Sequence, residues 1–177
     1  MRRIIITAAS ATAALMGTAT AQEAHGSIGG IVNEGFDNVG VVGRVGYDFT
    51  ANFGIEGELN YFSLDDEFDP GDGADVDVDV FSYLAFAKAQ APVGERVTVF
   101  GRLGYGGITV DADVEIDGVS ESNSESEDAF AYGVGAEFAV TPNGAVRADY
   151  TRIDLGDAGG DEGFFALAYT FRFGGAR

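Results

Sequence analysis

Along most of the chain, bulky apolar residues alternate with small or polar ones, so that every second side chain falls on one face. A period of two is the pattern of a β-strand with one apolar face. The final segment shows it most clearly, with one face made of Phe165, Leu167, Tyr169, Phe171 and Phe173 and the other of Ala166, Ala168, Thr170 and Arg172. The alternation predicts an all-β chain of eight strands, over residues 24–32, 39–49, 53–63, 78–91, 96–110, 128–139, 145–154 and 163–173.

The connections between these strands alternate in length. Short turns are predicted at 50–52, 92–95 and 140–144, where the residues suit tight turns. The other four connections are 33–38, 64–77, 111–127 and 155–162, and two of them are long; within the third, we predict disorder over 120–126. The facing of Leu84 and Phe86 in the fourth strand stays open, because a β-bulge there would change it. Short turns at one end and longer loops at the other predict an antiparallel, up-and-down arrangement.

Three observations favour a barrel that directs its apolar face outward, toward lipid. The first is bulk, because an eight-stranded barrel has an interior just wide enough for side chains, and several rings from nearly every strand would overfill it. The second is charge, because the small-residue face carries five cationic and five anionic residues, the balance that a buried face needs. These ten residues are Arg44, Asp48, Glu56, Glu58, Lys88, Arg102, Glu137, Arg147, Asp149 and Arg172. We predict that they form an ion network inside the barrel.

The third observation is the position of the aromatic residues, which cluster at the two ends of the predicted strands. Two aromatic girdles, one at each interface, are typical of transmembrane β-barrels. Near the short turns lie Tyr47, Phe49, Phe53, Phe138, Phe171 and Phe173. Near the long loops lie Tyr61, Phe62, Phe81, Tyr83, Phe130, Tyr132, Phe164 and Phe165. The sequence therefore predicts an eight-stranded transmembrane β-barrel.

The first residues predict export from the cytoplasm. Arg2 and Arg3 precede an uncharged stretch from Ile4 to Met16, and Ala19-Thr20-Ala21 supplies the small residues of a cleavage site. We therefore predict a signal peptide over residues 1–21 and a single barrel domain over 22–177. The chain of 177 residues contains no Cys, so it has no disulfide framework and no thiolate chemistry.

The eight alternating segments, the leader and the closing pattern from Phe165 to Phe173 resemble the small outer-membrane β-barrel family, of the type of the outer membrane protein A transmembrane domain. The chain departs from that pattern in ending with four residues after Phe173, where the family commonly ends on its aromatic residue. The resemblance implies a Gram-negative outer membrane, periplasmic termini and long loops outside the cell. It also implies contact with outer-membrane lipid and lipopolysaccharide, and insertion by periplasmic chaperones and the outer-membrane assembly machinery.

Candidate chemistry beyond the barrel is sparse. The one histidine, His25, lies at the periplasmic start of the first strand, whereas the acyl-transferring and deacylating barrels need theirs near the outer end; with no Gly-x-Ser-x-Gly run either, we expect no enzyme activity and no cofactor. The net charge of −19 argues against a nucleic-acid partner. Residues 113–118 carry acids at positions 1, 3 and 5 of a helix-loop-helix calcium loop and Gly at position 6. Position 12, which supplies a bidentate Glu in such loops, is Ser124, so the segment is not a calcium loop of that type.

The acidic loops, together with the alternating Asp75, Asp77 and Asp79, offer oxygen ligands for Ca²⁺ or Mg²⁺; the alternative is a solvated loop whose like charges repel each other. We expect a structural or surface-interaction role, with the ion network sealing the barrel and cations bridging the loops to lipopolysaccharide. Two alternatives stay open. One is a narrow ion-conducting channel, and the other is a soluble, lipocalin-like periplasmic barrel whose bulky face lines a pocket for an apolar ligand.

Overall fold

The computed structural model describes residues 23–36, 38–65, 74–116, 119–156 and 160–173. Within these ranges, residues 63–65, 74–78, 111–116 and 119–125 are described by their backbone alone. The eight strands are β1 Glu23–Asn33, β2 Val39–Asp48, β3 Phe53–Asp65, β4 Ala74–Pro92, β5 Val97–Ile116, β6 Val119–Thr141, β7 Gly144–Asp154 and β8 Asp161–Phe173. The predicted signal peptide and residues 66–73 lie outside the described residues.

The strands form a closed antiparallel barrel in chain order, because β1 pairs with β8 as well as with β2. The predicted eight-stranded, up-and-down fold is therefore confirmed. Both described chain ends lie at one end of the barrel, together with the short turns after β2, β4 and β6; we call this the terminal end and the opposite one the loop end. None of the described residues belongs to a helix long and apolar enough to cross a membrane.

The bulky apolar face points outward. Val45 is 70% exposed and Leu103 60%, whereas the charged Arg147 on the opposite face is completely buried. A soluble barrel would leave this apolar area in water, but a bilayer covers it. The lipocalin-like alternative required the same residues to line an internal pocket, and their outward direction removes that pocket.

Four bulky apolar residues refine the predicted facing. Leu84 and Phe86 both point inward, and β4 pairs regularly with both neighbours, so no bulge lies at these positions. The assignment of Phe62 and Phe164 to the outer girdle was wrong. Phe62 is buried inside the barrel, and its ring centroid lies 5.4 Å from that of the half-buried Phe164. The two rings pack against Ile31, Val42 and Ala166 at the loop end of the interior.

The predicted long connection over 111–127 was also wrong, because β5 and β6 continue as a ladder to Ile116 and from Val119. The segment predicted to be disordered, 120–126, belongs to β6. Its serines are register partners of acids on β5, as in Asp113↔Ser122 and Glu115↔Ser120. The register places each of these β5 acids opposite an uncharged residue of β6, which allows the acid-rich segment to remain a strand, and composition alone does not reveal this.

Candidate functional site

The barrel interior holds the candidate site. All ten predicted network residues point inward from seven different strands, and every one except Arg172 is buried. They come together because alternate positions on neighbouring strands of a closed barrel face one narrow space. His25 on β1 joins them, in contact with Glu56 and Asp48, a role that the sequence did not suggest.

Glu56 is the acid with the most cationic neighbours. Its two carboxylate oxygens accept hydrogen bonds from Arg147, with Nη1 to Oε1 at 2.7 Å and Nη2 to Oε2 at 3.0 Å. Lys88 Nζ and His25 Nε2 each lie 3.2 Å from Oε1. A bidentate pair of this kind fixes orientation as well as charge. Arg147 is completely buried and needs a counter-charge, and these two hydrogen bonds make Glu56 its principal one.

A second cluster lies around Arg102. Its guanidinium contacts Glu58 Oε2 at 2.5 Å and Asp149 Oδ1 at 2.8 Å, and it also donates to the hydroxyl of Thr151. Arg44 bonds the same two carboxylates, with Nε to Glu58 at 2.6 Å and Nη2 to Asp149 at 3.1 Å. Two guanidinium groups and two carboxylates therefore alternate in a closed cycle. Arg147 Nε, which lies 3.0 Å from Asp149 Oδ2, links this cycle to Glu56.

Inward aromatic rings support the two central arginines. Arg102 lies over the ring of Phe86 and Arg147 over that of Phe100, each with Cζ 4.2 Å from the ring centroid. Each ring in turn lies against a glycine of the neighbouring strand. A Cβ on Gly104 would come within 2.5 Å of Phe86, and one on Gly135 within 2.5 Å of Phe100. Glycine at these positions thus makes room for two aromatic rings inside the barrel.

The terminal end of the network contacts the solvent only at its edge. Arg172, whose side chain is 22% exposed, lies 2.5 Å from Glu137, and Lys88 lies 3.2 Å from Asp48. Asp48 also lies 3.7 Å from His25. The sequence signal that could have placed His25 inside is its spacing, because residues two apart on a strand share a face and Ser27 of β1 is also buried. The alternation is hard to see in this strand because four of residues 23–33 are glycine or alanine.

The outer rim at the loop end carries charged side chains of a different kind. Arg152 lies 2.5 Å from Asp161 and 3.8 Å from Glu34, and Tyr150 donates a hydrogen bond to Glu34. These groups are exposed or half-exposed. The hydrogen bond from Arg152 holds the pKa of the Asp161 carboxyl below its usual range, so this acid is ionised at neutral pH. The cation of Arg152 is thus committed to neighbouring acids.

The described residues contain no group of three His, Cys, Asp or Glu side chains arranged to hold a metal ion. Most of the candidate cation ligands lie outside the residues whose side chains the structure describes. Asp75, Asp77, Asp113 and Glu115 are described by their backbone alone, and 117–118 lie outside the described residues. Asp79 accepts a hydrogen bond of 2.8 Å from the hydroxyl of Tyr61. Cation binding by the loops therefore remains a prediction.

Comparison with known proteins agrees with this geometry. Residues 5–173 match the model of the outer membrane protein beta-barrel domain. The chain is similar to Ail, the attachment invasion locus protein of Yersinia pestis, with 26% identity and a TM-score of 0.60 over 86% of this chain and 99% of that one. Another structure of Ail holds the heparin analogue sucrose octasulfate. Among curated proteins, no sequence matches significantly.

Two further structures share the fold at low sequence identity. The N-terminal β-barrel domain of Pseudomonas aeruginosa OprF is 16% identical with a TM-score of 0.58, over 86% of this chain and 98% of that one. The outer membrane protein OprG from Pseudomonas aeruginosa is 10% identical with a TM-score of 0.60, over 86% and 95%. At such identities the likeness concerns the barrel alone.

Proposed function

Because the chain belongs to the outer membrane protein β-barrel family, we propose that it is a surface protein with a closed barrel as its membrane anchor and an acidic loop end as its outward contact surface. The outer membrane is the location of this family, and the outward apolar face suits it. We further propose that residues 1–21 are removed on export, and that periplasmic chaperones and the assembly machinery insert the barrel, reading the aromatic pattern of β8.

The observation that carries the proposal is the ion network. Five cationic and five anionic side chains occupy the interior and contact one another across it. A water-filled pore needs unoccupied width, which an eight-stranded barrel lacks once its inward side chains meet. The mutual contacts therefore favour a sealed, mechanical role over the narrow-channel alternative. The residues of the seal act by cross-linking the strands, and none of them needs a substrate.

Planar-bilayer recording tests the seal. We expect the purified wild-type protein to insert without discrete current steps. The double variant Arg102→Ala/Glu58→Ala, which removes one cation and one anion from the central cycle together, is expected to produce steps because it opens space while keeping the interior neutral. Discrete wild-type steps that change in Glu56→Gln or Arg44→Gln would contradict the seal and support the channel alternative.

At the loop end, exposed carboxylates are the groups that a partner meets first. Glu34, Asp154, Asp161 and Glu162 are exposed on the rim, and Arg152 is the cation between them. Carboxylates bind hard divalent cations, which can in turn bridge to phosphate groups. We propose that Ca²⁺ or Mg²⁺ links this end to lipopolysaccharide. The surface suits a cationic or cation-bridged partner.

The charge of this rim predicts a difference from Ail. Ail has been crystallised with sucrose octasulfate, a polyanion, whereas the described rim of the present chain carries acids around one already paired arginine. We expect sucrose octasulfate not to bind the detergent-solubilised protein in low-salt titration calorimetry, because like charges repel most strongly where screening is weak. Ail measured in parallel is the positive control. Saturable binding to the present chain would contradict the acidic-surface assignment.

A further inference from the structure

A groove crosses the outer wall of the barrel in its loop-end half, over β1, β8 and β7. Its volume is about 750 Å³. The floor lies at two small outward residues, Gly30 and Ala148, which are the register partners of Leu167 on either side of it. The walls are larger and mostly apolar side chains, namely Val32, Phe36, Val39, Val134, Tyr150, Phe165 and Leu167. The groove is therefore a depression in the same outward face that the bilayer covers.

Phe36 stands at the loop-end margin of the groove in a strained backbone conformation. Its φ of 59° lies in the left-handed region, which a bulky side chain rarely adopts. The ring stacks on Phe165, with the centroids 5.9 Å and the planes 13° apart, yet Phe36 remains 68% exposed. Strain of this kind persists only where the surroundings compensate for it, and the protein covers little of this ring. A hydrocarbon chain in the groove supplies the missing apolar cover.

Gly30 leaves open space that the protein itself does not use. A Cβ added there meets one heavy atom within 4 Å, the backbone oxygen of Gly40 at 3.9 Å. At this position β1 also pairs in regular register with both neighbours, so no bulge requires the glycine. A glycine within a strand weakens it and often marks a place where a ligand approaches the backbone closely. With crowding and a bulge set aside, approach of a ligand is the explanation that fits the groove.

Hydrocarbon is the occupant that the surroundings favour. The groove is continuous with the lipid-facing wall of a chain that belongs to the outer membrane protein β-barrel family. A hydrocarbon chain lying in it contacts the protein on several sides rather than one, and each added contact contributes dispersion energy. The groove has room for roughly 25 methylene groups, since each has about the bulk of a water molecule, which occupies about 30 Å³ in the liquid. One extended acyl chain therefore fits.

We propose that this groove binds one acyl chain of lipopolysaccharide, which lies over Gly30 and Ala148 beneath the ring of Phe36. The inference rests on the proposed function, because lipopolysaccharide occupies the leaflet at the loop end only if that end faces outward. It deepens the contact proposed for the rim by adding a hydrocarbon contact to the cation bridge. The groove needs no cation of its own, so experiment can separate the two contacts.

Fluorescence of a single introduced tryptophan tests the site, because the chain has no Trp of its own. Leu167→Trp reports from the groove and Leu103→Trp from the wall elsewhere; the two leucines are 63% and 60% exposed, and each lies two residues from an outward aromatic residue, Phe165 or Tyr105. Each variant is refolded, in EDTA, into vesicles of phosphatidylcholine with brominated chains that quench the fluorescence, and unbrominated lipopolysaccharide is added. We expect Leu167→Trp to recover with a roughly fivefold preference for lipopolysaccharide, owing to the added dispersion contacts. Recovery of Leu103→Trp should follow the mole fraction of lipopolysaccharide.

Two glycine variants in the Leu167→Trp protein test the groove itself. Gly30→Leu fills the floor without a clash and should remove the preference. Gly43→Leu is the matched control and should leave the preference unchanged, because an added Cβ on Gly43 of β2 also meets open space but Gly43 does not line the groove. The folded band in unheated SDS gels shows that each variant is folded. If Gly30→Leu does not refold, Phe36→Ala, which removes the cover over the chain, takes its place and should lower the preference.

Equal recovery at the two tryptophans, or an undiminished preference in the folded groove variant, would overturn the proposal. Quenching of Leu167→Trp that lipopolysaccharide does not relieve would assign the groove to a phospholipid chain and overturn it as well. Repeating the titration with Mg²⁺ in place of EDTA tests the proposed function separately, because a cation bridge should add recovery at both tryptophans. Absence of that increase would contradict the bridge while the difference between the two tryptophans in EDTA still supports the groove.

Discussion

Arg102→Glu is expected to prevent the barrel from refolding in detergent. The wild-type guanidinium contacts Glu58 and Asp149 directly and lies 3.7 Å from Glu56, all of them buried. The variant places a carboxylate among three others and leaves the interior with two uncompensated negative charges. Removing one partner of a buried ion pair costs about 3–5 kcal/mol. The added repulsion takes the loss beyond about 5 kcal/mol, the lower end of typical folding stability.

Refolding of Arg102→Glu is measured as the fraction of protein that migrates as the folded band in unheated SDS gels. Arg96→Glu is the matched control, because it makes the same change of charge at an exposed turn position and should refold like wild type. Arg102→Glu/Glu58→Arg, which exchanges the partners of the 2.5 Å pair, should recover part of the folded band. A folded fraction for Arg102→Glu equal to that of Arg96→Glu would show that this position is solvated, contrary to the structure.

Glu56→Gln is expected to lower the free energy of unfolding by about 3–5 kcal/mol, because it leaves the completely buried Arg147 without its bidentate counter-charge. Adding Lys88→Met should recover a substantial part of this loss. Lys88 is a further cation that contacts Glu56, so the double variant restores the balance of charge, and methionine fills a similar volume. Replacing a buried pair by apolar groups is often close to neutral.

Urea unfolding in lipid vesicles gives these free energies, with circular dichroism as the signal because the chain has no Trp. Glu95→Gln is the control, since Glu95 is an exposed turn residue and its loss of charge should leave stability unchanged. A double variant less stable than Glu56→Gln alone would contradict the argument from charge balance. It would mean that Lys88 stabilises the barrel chiefly through Asp48, its other partner.

The strand count followed from the local period of two, and the outward direction of the apolar face followed from side-chain bulk, charge balance and the position of the aromatic residues. Charge balance on one face then selected the buried set, since only a buried face must neutralise residues such as Arg102 and Glu58. The pairing within that set was not predictable. Which acid meets Arg147 depends on the stagger of all strands around the barrel, a property of closure that no single segment carries.

Phe62 was assigned to the outer face for a related reason, and the facing of Phe86 stayed open for the same one. Phe62, Phe86 and Phe100 fit inside because each is the register partner of a glycine on the next strand, at Gly40, Gly104 and Gly135. Both halves of each pair are visible in the sequence, but their register is not. The long β5–β6 hairpin was missed because a run of acids and serines was read as loop composition. Its period of two continues, and that was the stronger signal.

The mobility of the protein in SDS gels, unheated against boiled, tests the central claim most directly, using a salt-washed outer-membrane fraction. Closed membrane barrels resist SDS when cold, so the folded protein should migrate at a different position from the boiled protein, and it should remain with the outer membrane after washing. A single position under both conditions, with the protein recovered in the soluble periplasm, would contradict an outward apolar face and a sealed, charge-balanced interior.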